Sequence, residues 1–206
     1  MYRIDSVRAN DGSNEALVIC ENVSFLITVR DLEILDIKEN DLIDEDTYAD
    51  LCSAKERLAC IKKAFDHLSY GDLSKRQLRD KLRKKYPLQL CEDVADLLEE
   101  RGYIDDERLA QRYAETFYEF KKMGIGKIRE QLFRRGISRE SIDNALAKYE
   151  DEDQRDRIRE YLENKYDSAR LSDEKYRRKV YSGLIRAGFS CGDVADVLRN
   201  FESEYD

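Results

Sequence analysis

The side chains with chemical capability are few and scattered. His67 is the sole histidine among 206 residues. No cysteine stands at ligand spacing around it, and a His-dependent triad would have to gather every partner about this one residue. It reads as a satisfied or surface histidine on a helix. Asp105-Asp106-Glu107 suggests a divalent-cation site, but the triple immediately precedes an amphipathic run. Carboxylates placed there cap a helix and suit its dipole. Gly124-Ile125-Gly126-Lys127 resembles a piece of a phosphate-binding loop, yet the G-x-x-x-x-G-K-[ST] spacing is absent and a helix rather than a strand precedes it. It reads as a helix–helix turn. Cys20, Cys52, Cys60, Cys91 and Cys191 are widely spaced and form no C-x-x-C pair, which suits reduced thiols in a cytoplasmic protein. These residues imply no catalytic group, no metal and no cofactor. The expectation is a protein that binds rather than an enzyme.

What remains is charge on helices. Lys75, Arg76, Arg79, Lys81, Arg83, Lys84 and Lys85 fall close together in one predicted helix. Lys127, Arg129, Arg134, Arg135 and Arg139 occupy or follow a second, and Lys175, Arg177, Arg178, Lys179 and Arg186 a third. Basic charge recurring at one place in three helices points to a binding stripe for a polyanionic or mixed-charge partner. The overall net charge of −8 hides this asymmetry. Residues 1–54 hold 4 basic and 13 acidic side chains, residues 55–149 hold 22 and 17, and residues 150–206 hold 11 and 15. An acidic head and tail flank a basic middle.

The pattern also predicts the elements that must position these helices. Tyr2, Ile4 and Val7 alternate, Asn10-Asp11-Gly12 signals a turn, and Leu17–Cys20 and Ser24–Thr28 are short β-branched runs divided by Glu21-Asn22. This predicts a three-stranded meander and then a short helix over Val29–Leu35. Three strands cannot hide both faces, so the sheet must pack on its own helix or on the next domain. From Asp44 the spacing becomes helical. Asp44 caps a helix through Leu58, Ile61, Phe65 and Leu68, with a break expected near Ser53. Ser74-x-x-Gln77 is a capping box opening a second helix, which Pro87 stops near Tyr86. A third helix carries Val94, Leu97 and Leu98 to Gly102. Asp105 then caps a helix with Leu109, Tyr113, Phe117 and Phe120, and Ser138 caps one with Ile142, Ala145 and Leu146. No run is long and apolar enough to cross a membrane, and the first residues lack the apolar core of a signal peptide.

Ile128, Leu132, Gly136, Ile142 and Leu146 are separated by 4, 4, 6 and 4 residues, as are Val180, Leu184, Gly188, Val194 and Leu198. Leu78, Leu82, Tyr86, Val94 and Leu98 repeat the spacing with two residues more around Pro87. Helical periodicity explains the fours but not the shared break, so the chain reads as three diverged copies of one unit. The fold class is mainly α: three tandem helix-turn-helix-like three-helix repeats over residues 45–104, 105–149 and 150–206, behind a small antiparallel β extension over residues 1–44. Stacked in line, such units would span on the order of 60 Å, a shape for an extended partner rather than a small-molecule substrate.

Phe65-Asp66-His67-Leu68-Ser69-Tyr70 with Ser74-x-x-Gln77-Leu78-Arg79-x-x-Leu82, then Leu98-Glu99-Glu100-Arg101-Gly102-Tyr103-Ile104-Asp105-Asp106-Glu107-Arg108-Leu109-Ala110, then Gly126-Lys127-Ile128-Arg129-x-x-Leu132-x-x-Arg135-Gly136-Ile137 resemble, in order and spacing, the RecX family of recombination regulators. The first two units carry the strongest matches. The resemblance implies a cytoplasmic bacterial protein, active in recombination and repair. It implies binding to the RecA filament on single-stranded DNA, inhibition of RecA ATPase and strand exchange, and no catalytic residues. The binding residues expected on the stripe are Lys75, Arg76, Arg79, Arg83, Lys84, Lys127, Arg129, Arg134, Arg135, Arg177 and Arg178. The acidic overall balance favours contact with RecA over contact with bare strands. The alternative is an autonomous DNA-binding module of helix-turn-helix type.

Overall fold

The computed structural model describes residues 1–9, 12, 14–150 and 152–203. The chain divides into two compact units, Met1–Asp72 with Leu78–Arg101, and Leu73–Gln77 with Gly102–Asp206.

In the first unit, strands β1 (Tyr2–Ala9), β2 (Glu15–Cys20) and β3 (Val23–Thr28) lead into helix α1 (Val29–Leu35) and a short β4 (Leu42–Ile43). The sheet is antiparallel in the order β3-β2-β1-β4. The expected meander and helix are present; the fourth strand, only two residues long, carries no alternation that a sequence could show. Glu21 and Asn22 both have positive φ, as the two central residues of a tight hairpin require. Of the turn expected at Asn10-Asp11-Gly12, residues 10 and 11 lie outside the described residues, and Gly12 has φ +85°. Alternation puts Ala16, Val18, Cys20, Phe25 and Ile27 on one face, where they form a core with Ile4, Ile37 and Ile43. Helix α2 (Glu45–Ser69) covers that face with Leu51 and Ala54.

Two local devices fix this arrangement. Asp31 and Thr28 form a reciprocal cap at the start of α1, and the buried Asp31 carboxylate also pairs with Arg57 of α2. Asp44 caps α2 by accepting the Thr47 N–H at 2.9 Å. The break expected near Ser53 does not occur. The Ser53 hydroxyl donates to the Ala49 carbonyl within the same helix, so the residue is satisfied without leaving helical geometry.

The remaining helices are α3 (Lys75–Leu82), α4 (Leu88–Glu100), α5 (Asp106–Glu115), α6 (Ile125–Arg134), α7 (Arg139–Glu150), α8 (Arg155–Lys165), α9 (Glu174–Arg186) and α10 (Cys191–Ser203). The apolar positions of the threefold spacing are the buried ones: Leu78, Leu82, Val94 and Leu98; Ile128, Leu132, Ile142 and Leu146; Val180, Leu184, Val194 and Leu198. Gly102, Gly136 and Gly188 all have positive φ where helices end.

Two further expectations need correction. Helix α3 ends at Leu82, and the chain reaches Tyr86 through a turn tightened by the Lys85 N–H, which bonds the Leu82 carbonyl three residues back at 2.9 Å; Tyr86 is buried. Pro87 opens α4 instead, where a missing N–H costs nothing. Phe120 does not join the apolar stripe of α5 and is 82% exposed. Thr116–Phe120 wind as a π-helical turn, which adds a residue to the turn and rotates Phe120 off the face that Leu109 and Phe117 bury.

Inside the second unit the same joint occurs twice. At the start of α3, the Ser74 hydroxyl donates to the Arg135 carbonyl at the end of α6, and the Arg76 stem lies over Gly136. At the start of α6, the Gly124 N–H donates to the Ala187 carbonyl at 2.9 Å and the Gly126 N–H to the Gly188 carbonyl at 3.0 Å. Gly124 and Gly126 lie 50 residues after Ser74 and Arg76, and Ala187 and Gly188 lie 52 residues after Arg135 and Gly136, the register of the repeat. Each joint therefore rests the start of one second helix on the glycine turn that ends the next one.

Candidate interaction site

The groups first considered for chemistry have structural work. Asp105 caps α5 by accepting the Arg108 N–H at 2.8 Å. Asp106 accepts the Lys75 N–H at 2.9 Å, and Glu107 accepts from Asn144 at 3.2 Å. The acidic triple is thus spread over three partners. His67 is half-buried in the last turn of α2, where desolvation, then Lys63 and Lys81, hold its pKa below the usual value. Among the described residues, no three His, Cys, Asp or Glu side chains are grouped to hold a metal. The five cysteines are free, with Cys20, Cys60 and Cys91 buried. Gly124–Lys127 is the turn of the second joint. Among the described residues no helix is long and apolar enough to cross a membrane.

The basic residues separate into two groups. One group is held by the fold. Arg129 pairs with Asp143 and, at 2.7 Å, with Glu150, and these partners, Asp143 first, raise its pKa further. Arg135 lies over the rings of Tyr113 and Phe117, 4.8 and 5.1 Å from their centres, and donates to the Gln131 carbonyl. Arg79 faces Glu92 at 3.7 Å and is largely covered. Lys127 pairs with Glu130 at 2.6 Å. The Arg76 stem belongs to the first joint, and Lys75 gives its N–H to Asp106.

The other group is displayed. Arg83 and Lys84 are exposed just past α3 and make no ion pair among the described residues. Arg134 is 67% exposed and reaches Glu130 across one helical turn. Arg178 is exposed and pairs with Glu174, also one turn away. Exposed pairs of this kind contribute at most about 1 kcal/mol, so an anionic partner can displace them. Arg177 lines a groove between α9 and α10 beside Arg178 and Arg199.

The structure also brings together groups that the stripe did not include. Phe133, 55% exposed, shares a groove between α6 and α7 with Arg129 and Arg139. A neighbouring groove joins Lys127 of α6 to Arg186 of α9 across Gly188. Phe133 was legible only as an apolar residue one position off the buried spacing. Arg199 and Tyr181 gave no signal, because their meeting depends on how α10 crosses α9.

Comparison with known proteins bears on this arrangement. Residues 105–146, which span α5 to α7, match the family model for the second three-helix domain of RecX. The regulatory protein RecX of Clostridium acetobutylicum is 31% identical over 170 residues, covering 80% of this chain and 74% of that protein. The chain belongs to the RecX family. The regulatory protein RecX of Clostridium tetani is 30% identical over 189 residues, covering 89% of this chain and 82% of its own. A crystal structure of regulatory protein RecX superposes with a TM-score of 0.79 at 22% identity, over 97% of this chain and all of that one. RecX from Lactobacillus salivarius gives 0.62 at 23% identity, over 73% of this chain. The mainly helical architecture with its small antiparallel sheet is therefore that of the RecX family. The segment that matches the RecX domain model also supplies Asp143, the partner of Arg129, and the Tyr113 and Phe117 rings under Arg135.

Proposed function

We propose that this protein binds the RecA filament formed on single-stranded DNA and lowers RecA ATPase and strand exchange. Membership of a family of regulatory proteins supports a regulatory role. The observation that carries the finer reading is the recurrence of displayed cations on or beside the second helix of each repeat: Arg83 and Lys84, Arg134, and Arg178. The three repeats, residues 45–104, 105–149 and 150–206, act as consecutive binding units, and the acidic extension of residues 1–44 buttresses the first. The protein works in the cytoplasm by binding, without catalysis, cofactor or small-molecule substrate. Lys127, Arg129 and Arg135 act by holding the fold that displays the others. Light scattering with the cognate RecA on single-stranded DNA, with and without nucleotide, tests the reading. Added protein should change the filament signal only where filaments have formed; an unchanged signal would count against it.

A second reading, direct DNA binding, is favoured by the same displayed cations, since Arg and Lys on three-helix units suit phosphates. Affinity for single- and double-stranded DNA without RecA decides it. Direct binding carries a steep salt slope, and no shift at low salt eliminates it.

A further inference from the structure

Repeats two and three each have a core of their own. Leu109, Ile128 and Leu146 belong to one, and Ile158, Leu184 and Leu198 to the other. Helices α5, α6 and α7 pack on one another, as do α8, α9 and α10. The two bodies are tied together by polar groups. One tie is the second joint, with its backbone bonds from Gly124 to Ala187 and from Gly126 to Gly188. Another is a surface pair of Lys122 with Glu160 at 3.6 Å. The third is a hub around Tyr118.

Tyr118 lies in the π-helical turn after α5 and is 2% exposed. Its hydroxyl donates to Glu152 at 2.5 Å and accepts from the Gln154 side chain at 3.1 Å. The Arg157 guanidinium, from the first turn of α8, lies 3.4 Å from the centre of the Tyr118 ring and donates to the Tyr118 carbonyl at 2.7 Å. Ring, hydroxyl and carbonyl of one residue in repeat two thus hold three side chains from the start of repeat three. Arginine suits this place because its planar fork can stack and donate at once. The hub is also incompletely satisfied: Gln154 Oε1 and Arg157 Nε are buried with no hydrogen-bond partner among the described residues. When the two bodies part, water can bond these atoms and replace the other polar contacts, so the net loss is modest. Both apolar cores stay packed. Bodies with separate cores and a polar contact move relative to one another by default.

We propose that Tyr118 and Arg157 form a latch, and that repeat three undocks from repeat two as a folded body when the latch opens. Tyr118 is then a positioning residue. With the latch closed it fixes the place of Arg178 on α9 relative to Arg134 on α6. That consequence, unlike the latch itself, rests on reading the repeats as consecutive binding units.

Native-state hydrogen exchange on the full chain, followed by NMR without any partner, tests the latch. The Gly124 and Gly126 amides report the joint, because their acceptors lie in repeat three. The amides of the buried Leu132 and Leu184 report the two cores. In the wild type the glycine amides should be protected, yet exchange at least about tenfold faster than the leucine amides, since partial opening is easier than unfolding. Arg157→Ala should speed the glycine amides roughly tenfold, as loss of a stacked and hydrogen-bonded guanidinium implies. Tyr118→Phe removes only the hydroxyl and should speed them by about threefold or more. In both variants the leucine amides should keep their wild-type rates. A residue that merely supported the whole fold would speed all of these amides together, and that result overturns the proposal. So do glycine amides unchanged in both variants, or unprotected in the wild type. Because RecA is absent from the measurement, failure here leaves filament binding untouched, and failure of filament binding leaves the latch standing.

Discussion

Gly124→Ala is the sharpest probe of the joint between the second and third repeats. Gly124 has φ −71°, a conformation open to any residue. On backbone grounds alone, alanine should stabilise the protein by roughly 0.4–1 kcal/mol, because it narrows the unfolded ensemble. The joint reverses the sign. A Cβ at this position would lie 2.5 Å from the Gly188 carbonyl oxygen and the Phe189 nitrogen, and these are backbone atoms that cannot rotate away. The two turns must separate, which breaks the bonds from Gly124 N–H to Ala187 and from Gly126 N–H to Gly188. At about 0.5–1.5 kcal/mol each, their loss comes to about 1–3 kcal/mol. After the unfolded-state gain, the expected net effect is destabilisation of about 1–2 kcal/mol. Urea unfolding monitored by circular dichroism measures it as a lower midpoint. Gly192→Ala is the control. Nothing but the Ser190 hydroxyl oxygen lies within 4.0 Å of a Cβ there, and a helical glycine costs about 0.5–1 kcal/mol relative to alanine. That variant should be more stable than wild type. A Gly124→Ala protein as stable as wild type would mean that the joint does not hold the two repeats.

The same contacts give further expectations. Arg83→Glu with Lys84→Glu should weaken partner binding about tenfold or more while leaving the melting temperature within a few degrees, since surface changes usually cost under about 0.5 kcal/mol; Arg129→Ala should instead lose stability, on the order of 1 kcal/mol, with Asp143 and Glu150 left unpaired. Asp31→Ala removes both the cap of α1 and the partner of Arg57, and should destabilise the first unit by roughly 1–3 kcal/mol, read as a lower urea midpoint. Hydrogen bonds from the Thr47 backbone and hydroxyl hold the Asp44 carboxyl below its ordinary pKa. Its contribution is therefore complete above about pH 4 and is lost as pH falls through the folded value. Asp44→Asn should flatten that acid limb of the stability profile, and an unchanged profile would mean that Asp44 contributes nothing to it.

Much of the fold was legible because it rests on local rules. Asp44, Ser74, Asp105 and Ser138 cap helices as their side-chain chemistry directs. The recurrent spacing found the buried residues because a helix that stacks on its neighbours can hide only one stripe. What escaped was non-local. The π turn at Thr116–Phe120 inserts a residue into the pattern without changing composition, so Phe120 looked like core. Pro87 carries the same sequence signal whether it stops one helix or opens the next, and only the turn from Leu82 to Tyr86 decides between them. The basic stripe was legible as charge, but not the division within it. Whether Arg129 is displayed or held depends on Asp143 and Glu150, which come from α7. The joints were half legible: glycine recurs at Gly136 and Gly188, yet their partners Ser74, Arg76, Gly124 and Gly126 lie about 60 residues earlier.

Regulation by binding to RecA stands or falls on the single-stranded-DNA-dependent ATPase of the cognate RecA. Titrating the protein from substoichiometric to equal ratios should lower the steady-state rate progressively, and the Arg83→Glu, Lys84→Glu, Arg134→Glu variant should do so only at higher concentration. An ATPase rate unaltered across that whole range would contradict regulation through RecA.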